Sequence, residues 1–325
     1  MPFLDRRNNS RAADVSLFGG DRYSAEALPA QDLDGIGLPA TLIQEQRRFC
    51  GSADCAGGWT MPWRSRRRPI FEEQWGCSGR CVLAIVRDAL RREAGDGRIA
   101  TTSALHHHRV PLGLLLLSQG WITHPQLRRA LEAQRQNGTG RIGEWLIAEC
   151  GLEAEQITRG LSLQWGCPVL SVEGFSPEAM ALVMPEIFVE KFGLMPLRIA
   201  GNRILYLAFE DHLDASASLA IERMTGFKVE SGILNEVQFR AARSRLLECD
   251  RVETKLEALS DADTLAGRIT AILEQKQPTA SRLVRLHHYY WLRLWLENGA
   301  VGKLGKFPVS REDTGDYIFT VGPQG

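Results

Sequence analysis

Several absences narrow the reading before any motif is found. No apolar run approaches the ~20 residues that a helix needs to cross a bilayer. The longest, Val110 to Leu117, is far shorter, so membrane insertion is not expected. The start of the chain has no apolar core of a secretory signal, and a cytoplasmic location is the expectation. Excess charge of either sign is missing as well, since 39 Lys and Arg balance 39 Asp and Glu. A neutral chain lacks the field that collects nucleic acid or anionic membrane, which argues against either as the main partner. Lysine is scarce, with only six residues. The other basic residues are Arg, whose planar guanidinium stacks on rings and forks onto phosphate.

Catalytic signatures are also missing. No Gly-x4-Gly-Lys-Ser/Thr loop occurs; Gly302-Lys303 and Gly305-Lys306 lack its spacing and its hydroxyl residue. Asp211-His212-x-Asp214 has no nucleophile or glycine-rich elbow nearby, so Asp214 reads as a helix cap. The expectation is a protein that is not an enzyme.

What is present is a chain of 325 residues, 44% hydrophobic and 24% charged, enough for two or three domains. Residues 1–45 are polar and aperiodic and read as a disordered tail. Residues 46–95 form a Cys-containing unit ending in a helix, and 105–249 carry a duplicated block followed by mixed α and β structure. A strand is expected over Pro168–Val172, helices from Pro177 and Pro185, and a hairpin over Leu194–Ile199 and Ile204–Phe209. Asp214–Met224 is expected as a helix, Lys228–Leu234 as a strand, and Asn235 as the cap of a further helix to about Glu248. Residues 250–325 are read as a helical extension. It holds one helix around Leu265–Gln275, a long one over Ser281–Asn298 and a final strand over Asp316–Val321. In the long helix, the His287-His288-Tyr289-Tyr290-Trp291 stretch reads as a packing or dimer face. His106-His107-His108 belong to a linker, because consecutive side chains diverge.

The block at the centre occurs twice. Leu112-Gly113, Leu127, Leu131 and Gln134 recur thirty residues on as Ile142-Gly143, Ile157, Leu161 and Gln164. Each copy reads as two short helices around a turn, with Thr123 capping the second helix of copy one. Duplication makes two equivalent half-sites, which suits a two-fold ligand. It equally suits plain helical packing, where Leu at this spacing is core.

The block resembles the N-terminal domain of the assembly ATPases of type II secretion and type IV pili, in its MshEN-type version that binds cyclic di-GMP. The likeness covers about residues 109–249, including Pro185-Glu186 and Leu194-Met195-Pro196-Leu197. It implies that Gly113 and Gly143 admit the ligand backbone. It also implies that Leu127, Leu131, Ile157 and Leu161 wall the purines, that Gln134 and Gln164 hydrogen-bond them, and that Leu112 and Ile142 at the motif starts belong to the same ligand site. Arg141 begins the motif in copy two and would contact guanine and phosphate. Copy one has Pro111 at that place, with Arg109 two residues earlier. In copy two Cys150 stands where the motif has Gly, with Gly151 one place later, and the spacer 135–140 is one residue longer than usual. The implied partner is a component of a secretion, pilus or other envelope-associated system. With no ATPase half in sight, the expected role is that of a sensor or adaptor. The alternative is an interaction module that binds no nucleotide.

Four of the seven Cys, Cys50-x4-Cys55 and Cys77-x3-Cys81, have a spacing that suits a Cys₄ zinc site. The second pair leads into a helix with Val82, Ile85, Val86, Ala89 and Leu90 on one stripe, which resembles treble-clef zinc modules. Isolated buried thiols would also fit. Trp59 to Arg68 puts aromatics beside a run of Arg. That pairing suits single-stranded nucleic acid or an acidic partner, or a solvated loop over a small metal-stapled core. The expected fold class is therefore α+β: a helical tandem repeat, then a small α/β sandwich domain, with an N-terminal treble-clef-like zinc module and a helical C-terminal extension.

Overall fold

The computed structural model describes residues 50–55, 68–102, 109–201, 203–210, 213–296 and 311–322. The 1–45 tail, the Trp59–Arg67 stretch, His106 to His108, Asp211-His212 and the Gly302–Lys306 turns lie outside them.

The first described unit is a two-stranded hairpin, β1 (Ile70–Phe71) and β2 (Gln74–Trp75). Glu72 and Glu73 turn it with φ of 49° and 65°, the left-handed geometry that a two-residue hairpin requires. Helix α1 (Gly79–Thr102) follows. Four short helices come next: α2 (Leu112–Ser118), α3 (His124–Asn137), α4 (Ile142–Cys150) and α5 (Ala154–Trp165). They share a small core of Leu112, Leu116, Ile122, Ala130, Leu146, Leu152 and Ile157.

The α/β half runs α6 (Pro177–Met180), α7 (Glu186–Phe192), β3 (Leu194–Ala200), β4 (Ile204–Phe209), α8 (Ala215–Thr225), β5 (Lys228–Ile233) and α9 (Glu236–Leu247). Its sheet has the order β3-β4-β5, with β3/β4 antiparallel and β4/β5 parallel across the α8 crossover. The elements expected from the sequence are present with one change. In place of a strand over Pro168–Val172 there is a single bridge, Val169 to Ile233. The bridge is held by the Leu170 amide on the Ile233 carbonyl at 2.8 Å and the Ile233 amide on the Pro168 carbonyl at 3.0 Å, and β5 ends at Ile233.

The C-terminal segment overturns one expectation. Residues 281–296, the described part of the expected helix, are not helical. They make a hairpin of β7 (Ala280–Leu286) and β8 (Tyr289–Trp295), turned at His287 with φ 54°. With β6 (Thr254–Leu259), α10 (Ala262–Lys276) and β9 (Thr314–Val321) they build a four-stranded sheet of order β6-β9-β8-β7. Both faces of this sheet are covered. Leu283, Leu292, Leu294, Tyr317 and Phe319 pack with α10 and with Val82, Ile85, Val86 and Ala89 of α1. The alternate residues Val284, Trp291, Trp295 and Ile318 pack with Phe188 of α7 and Ile221 and Met224 of α8. A strand buried on both sides carries apolar residues at nearly every position, so the alternation that would have marked it is lost. The helical stripe of α1 is buried as the sequence implied, and its cover is the C-terminal segment.

Three buried charged residues join these layers. Arg293 of β8 and Asp316 of β9 are opposite one another and each is 1% exposed. The guanidinium donates to both carboxylate oxygens, Nε at 2.8 Å and Nη2 at 2.7 Å. Nη1 reaches the carbonyls of Leu182 and Val183 at 3.0 Å, and Trp291 Nε1 donates to Asp316 at 2.8 Å. Glu93 on α1, also 1% exposed, accepts from Arg223 of α8 at 2.6 Å and from the Arg285 amide of β7 at 3.0 Å. Removing one member of such a pair strands the other charge away from water. Asp316→Ala is expected to lower stability by roughly 3–5 kcal/mol, read as a drop in the denaturant midpoint. A midpoint within error of wild type would show that Arg293 finds another partner.

Candidate functional site

The thirty-residue repeat seen in sequence is kept in three dimensions. In copy one the Thr123 amide donates to Gln126 Oε1 at 2.8 Å, and in copy two the Glu153 amide donates to Gln156 Oε1 at 3.0 Å. A Cβ added at Gly113 would lie 2.6 Å from Leu127 Cδ1, and one at Gly143 would lie 3.0 Å from Ile157 Cγ2. The strongest correspondence is between the two terminal glutamines. Gln134 Nε2 donates to the Gly140 carbonyl at 2.9 Å, at the head of copy two. Gln164 Nε2 donates to the Val110 carbonyl at 2.8 Å, at the head of copy one. The tail of each copy holds the start of the other, which is the contact pattern of a two-fold pair. The resemblance assigns these glutamines to a ligand; here their amides bond the opposite repeat heads, a reciprocity that helical spacing alone does not reveal. Its only signal was that 110 and 140 share the repeat offset.

The residues singled out in the sequence divide into two groups. Leu112 and Ile157 are buried, and Leu127, Ile142 and Leu161 are partly buried against the helical core. Gly113 and Gly143 serve close helix packing, and the clearance they leave is filled by Leu127 and Ile157. The surface group is Arg109, Leu131 and Arg141, with Leu131 37% exposed. Arg109 lays its guanidinium 3.2 Å from the centre of the Trp165 ring. Arg141 precedes α4 and reaches Glu210 Oε1 at 3.4 Å, at the end of β4 in the α/β half. Trp165 and Glu210 were not foreseen as neighbours of the arginines. The departure at Cys150 has a local explanation. Helix α4 runs on through Cys150, whose thiol meets the Gln126 carbonyl at 3.2 Å, and Gly151 at φ 67° caps it one residue later.

The four cysteines come together. The sulfurs of Cys50, Cys55, Cys77 and Cys81 all lie within 4.8 Å of one another. Cys55–Cys77 and Cys77–Cys81 are 3.4 and 3.5 Å apart, too far for a disulfide, and the Cys77 amide donates to Cys50 Sγ at 3.3 Å. Four thiolates at ~2.3 Å from a central ion in a tetrahedron stand ~3.8 Å apart, so the donor set fits a metal. Local structure explains the convergence. The β1–β2 hairpin leads into Cys77, and Cys81 lies in the first turn of α1. The Gly51 amide ties the first pair to the Trp75 carbonyl at 2.9 Å. Burial and the neighbouring thiols push Cys77 up to about 12, while the Ser78 hydroxyl holds Cys81 down to about 7.

Asp214 caps α8, accepting from the Ser216 and Ala217 amides at 2.9 and 3.0 Å, and pairs with His287 of the β7–β8 turn. Burial pushes its carboxyl up, but the bonds from His287, Ser216 and Ala217 outweigh that and hold it well below the usual carboxylate range. A depressed carboxyl stabilises the fold above its unfolded value near pH 4 and loses that contribution as pH falls. Asp214 thus caps α8, as its position before the helix implies, and ties it to the β7–β8 turn.

The tandem block and the sheet that follows it define a class: a chain carrying a domain similar to the N-terminal domain of secretion and pilus assembly ATPases. No protein-family model matches the chain. Among individual proteins, it is 34% identical over 136 residues to the type IV pilus assembly ATPase PilB of Myxococcus xanthus, covering 41% of this chain and 24% of that one. It is 30% identical over 120 residues to bacteriophage adsorption protein B of Escherichia coli K12, covering 37% of this chain and 16% of that one. The matched region thus spans a quarter or less of each relative. A solved structure of MshE with cdg covers 42% of this chain and 99% of its own, at 27% identity and a TM-score of 0.35. No described helix is long and apolar enough to cross a membrane.

The reciprocal glutamine contacts make a quantitative expectation. Gln134→Ala and Gln164→Ala should each cost about 1 kcal/mol, the usual worth of one such bond. By hydrogen exchange, the first should loosen 139–146 and the second 109–118. Loosening confined to the mutated helix would show that the two heads are not held by the opposite tails.

Proposed function

We propose that this chain is a regulatory adaptor, not an enzyme, whose duplicated block binds cyclic di-GMP. It would relay the bound state to a component of a secretion, pilus or other envelope-associated system. The observation that carries this reading is the reciprocal grip of Gln134 on Gly140 and Gln164 on Val110. It relates the two heads as a two-fold pair, and a cyclic dinucleotide has matching halves. The resemblance to the MshEN-type domain and the likeness to PilB support it. Each head also offers an arginine at the surface, Arg109 or Arg141, able to fork onto phosphate or stack on a base.

Arg141 supplies the relay. It meets Glu210 across the junction between the helical block and the α/β half. A phosphate that takes up Arg141 competes with Glu210 for it. Ligand therefore favours the arrangement in which that contact is relaxed, which is the differential affinity any relay needs. Calorimetric titration of the purified chain with cyclic di-GMP is expected to show saturable binding. Arg141→Ala should weaken it by about tenfold or more, the loss of one charged hydrogen bond, with thermal unfolding unchanged. Equal affinity in mutant and wild type would remove Arg141 from the site.

A second reading has its own observation. Leu127 and Ile157 fill the clearance at Gly113 and Gly143, as in a block built only to pack and to dock a protein. No heat of binding from wild type would favour it.

The four-cysteine cluster is proposed as a structural Zn²⁺ site. Zinc held by these four thiolates would staple the hairpin to α1 and would leave no open position for chemistry. Reduced thiols in that role agree with a cytoplasmic location. The purified protein should carry about one zinc per chain, released by denaturation into a colorimetric chelator, and Cys77→Ser should abolish it. Full zinc content in Cys77→Ser would place the metal elsewhere.

A further inference from the structure

The two edges of the four-stranded sheet are finished differently. On the β7 edge the outward groups are taken. The Glu72 amide donates to the Ser281 carbonyl at 3.0 Å, and Ser281 Oγ donates to the Ile70 carbonyl at 2.8 Å. The Leu283 amide is met by the Glu72 carboxylate at 2.8 Å and the Arg285 amide by the Glu93 carboxylate at 3.0 Å. This edge is closed by the Cys unit.

The β6 edge is open among the described residues. The Asp316 amide donates to the Glu253 carbonyl and the Gly322 amide to the Leu259 carbonyl, which sets the phase of the parallel β6–β9 ladder. Residues 253, 255, 257 and 259 point their backbone groups at β9, and Thr254, Leu256 and Ala258 point theirs outward. These three are exposed, and Leu256 is 60% exposed at the centre. A regular edge strand with an exposed leucine is a template for strand addition.

We propose that β6 pairs with β6 of a second copy of this chain, antiparallel, about a two-fold axis through Leu256. The side-chain order is self-complementary in that register. Leu256 faces the partner's Leu256 and Thr254 faces the partner's Ala258, so every outward amide and carbonyl of the three residues finds its mate. On the face that carries α10, Lys255 is opposite the partner's Glu257, and Glu257 is opposite the partner's Lys255. Opposite charges directly across a strand pair are favourable and like charges are not. Shifting the register by two residues in either direction breaks both ion pairs, so the charges select this alignment. Within the chain, Glu257 accepts from Arg268 at 2.7 and 2.6 Å, which holds its carboxylate on the same face. The result is an eight-stranded sheet running through both subunits, an isologous contact of the commonest kind. This proposal is independent of nucleotide binding. It would give the adaptor two copies of its tandem block.

The test is sedimentation equilibrium of the full chain between about 1 and 100 µM, where a modest contact of this kind is expected to dissociate. Wild type should show a reversible monomer–dimer equilibrium. Leu256→Pro should be monomeric. Its ring replaces an amide that faces away from β9, so the ladder within the sheet is kept. Lys255→Glu and Glu257→Lys should each weaken the dimer about tenfold or more by setting like charges opposite. Mixed together, the two charge variants should dimerise again, because each supplies the sign the other lacks; recovery on mixing also shows that both are folded. A monomeric wild type would overturn the proposal. So would a dimer that survives Leu256→Pro, or charge variants that stay apart when mixed.

Discussion

A guanidinium and a carboxylate taken out of water hold the centre of this molecule. Arg293 and Asp316 lie on neighbouring strands, and their bidentate contact fixes the register of β8 on β9. The remaining Arg293 donors reach the carbonyls of Leu182 and Val183, which dock the turn after α6 onto the sheet. Such a pair is tolerable in a dry interior only when nearly all its hydrogen-bonding capacity is used, as it is here. Glu93 repeats the device at the other side. One carboxylate on α1 gathers Arg223, Arg92 and the Arg285 amide. Segments more than a hundred residues apart in sequence are thereby joined around one four-stranded sheet.

The tandem block has its own small core and touches this body lightly. Leu161 packs against both cores, Trp165 packs against the larger one, and Arg141 reaches Glu210. A unit with a separate core and a few defined contacts can change its setting without unfolding its neighbour. That is the physical basis on which a ligand at the repeat heads would be felt in the α/β half. The Cys cluster plays a different part. It ties the hairpin to the first turn of α1, and α1 presents its apolar stripe to the C-terminal segment. A metal held there would stiffen one wall of the second core.

Much of this was legible in the residue order, and the reasons are local. The caps at Thr123, Asp214 and Asn235, the β3–β4 hairpin and the α1 stripe depend on side chains within a few positions of each other. The repeat was legible because duplication leaves an offset that survives substitution. The four thiols were legible because few other roles place paired cysteines at such spacings. The β7–β8 hairpin was not. With Leu283, Leu292 and Leu294 facing one core and Val284, Trp291 and Trp295 the other, its sequence has no polar face to reveal a period of two.

Sequence alone determined the elements whose stability is local: the helices of the repeat, their caps, and which cysteines could share an ion. Tertiary structure alone decided what those elements face. It turned the terminal glutamines back onto the opposite repeat heads, put Leu127 and Ile157 into the space left by two glycines, and set Arg141 against Glu210. It also sandwiched the C-terminal strands between α1 and α8, so that buried area and satisfied charge outweighed a helical pattern. The physical reason is one of range. Backbone capping and propensity act over a turn or two, whereas burial and ion pairing are settled by whichever distant segment arrives to exclude the water.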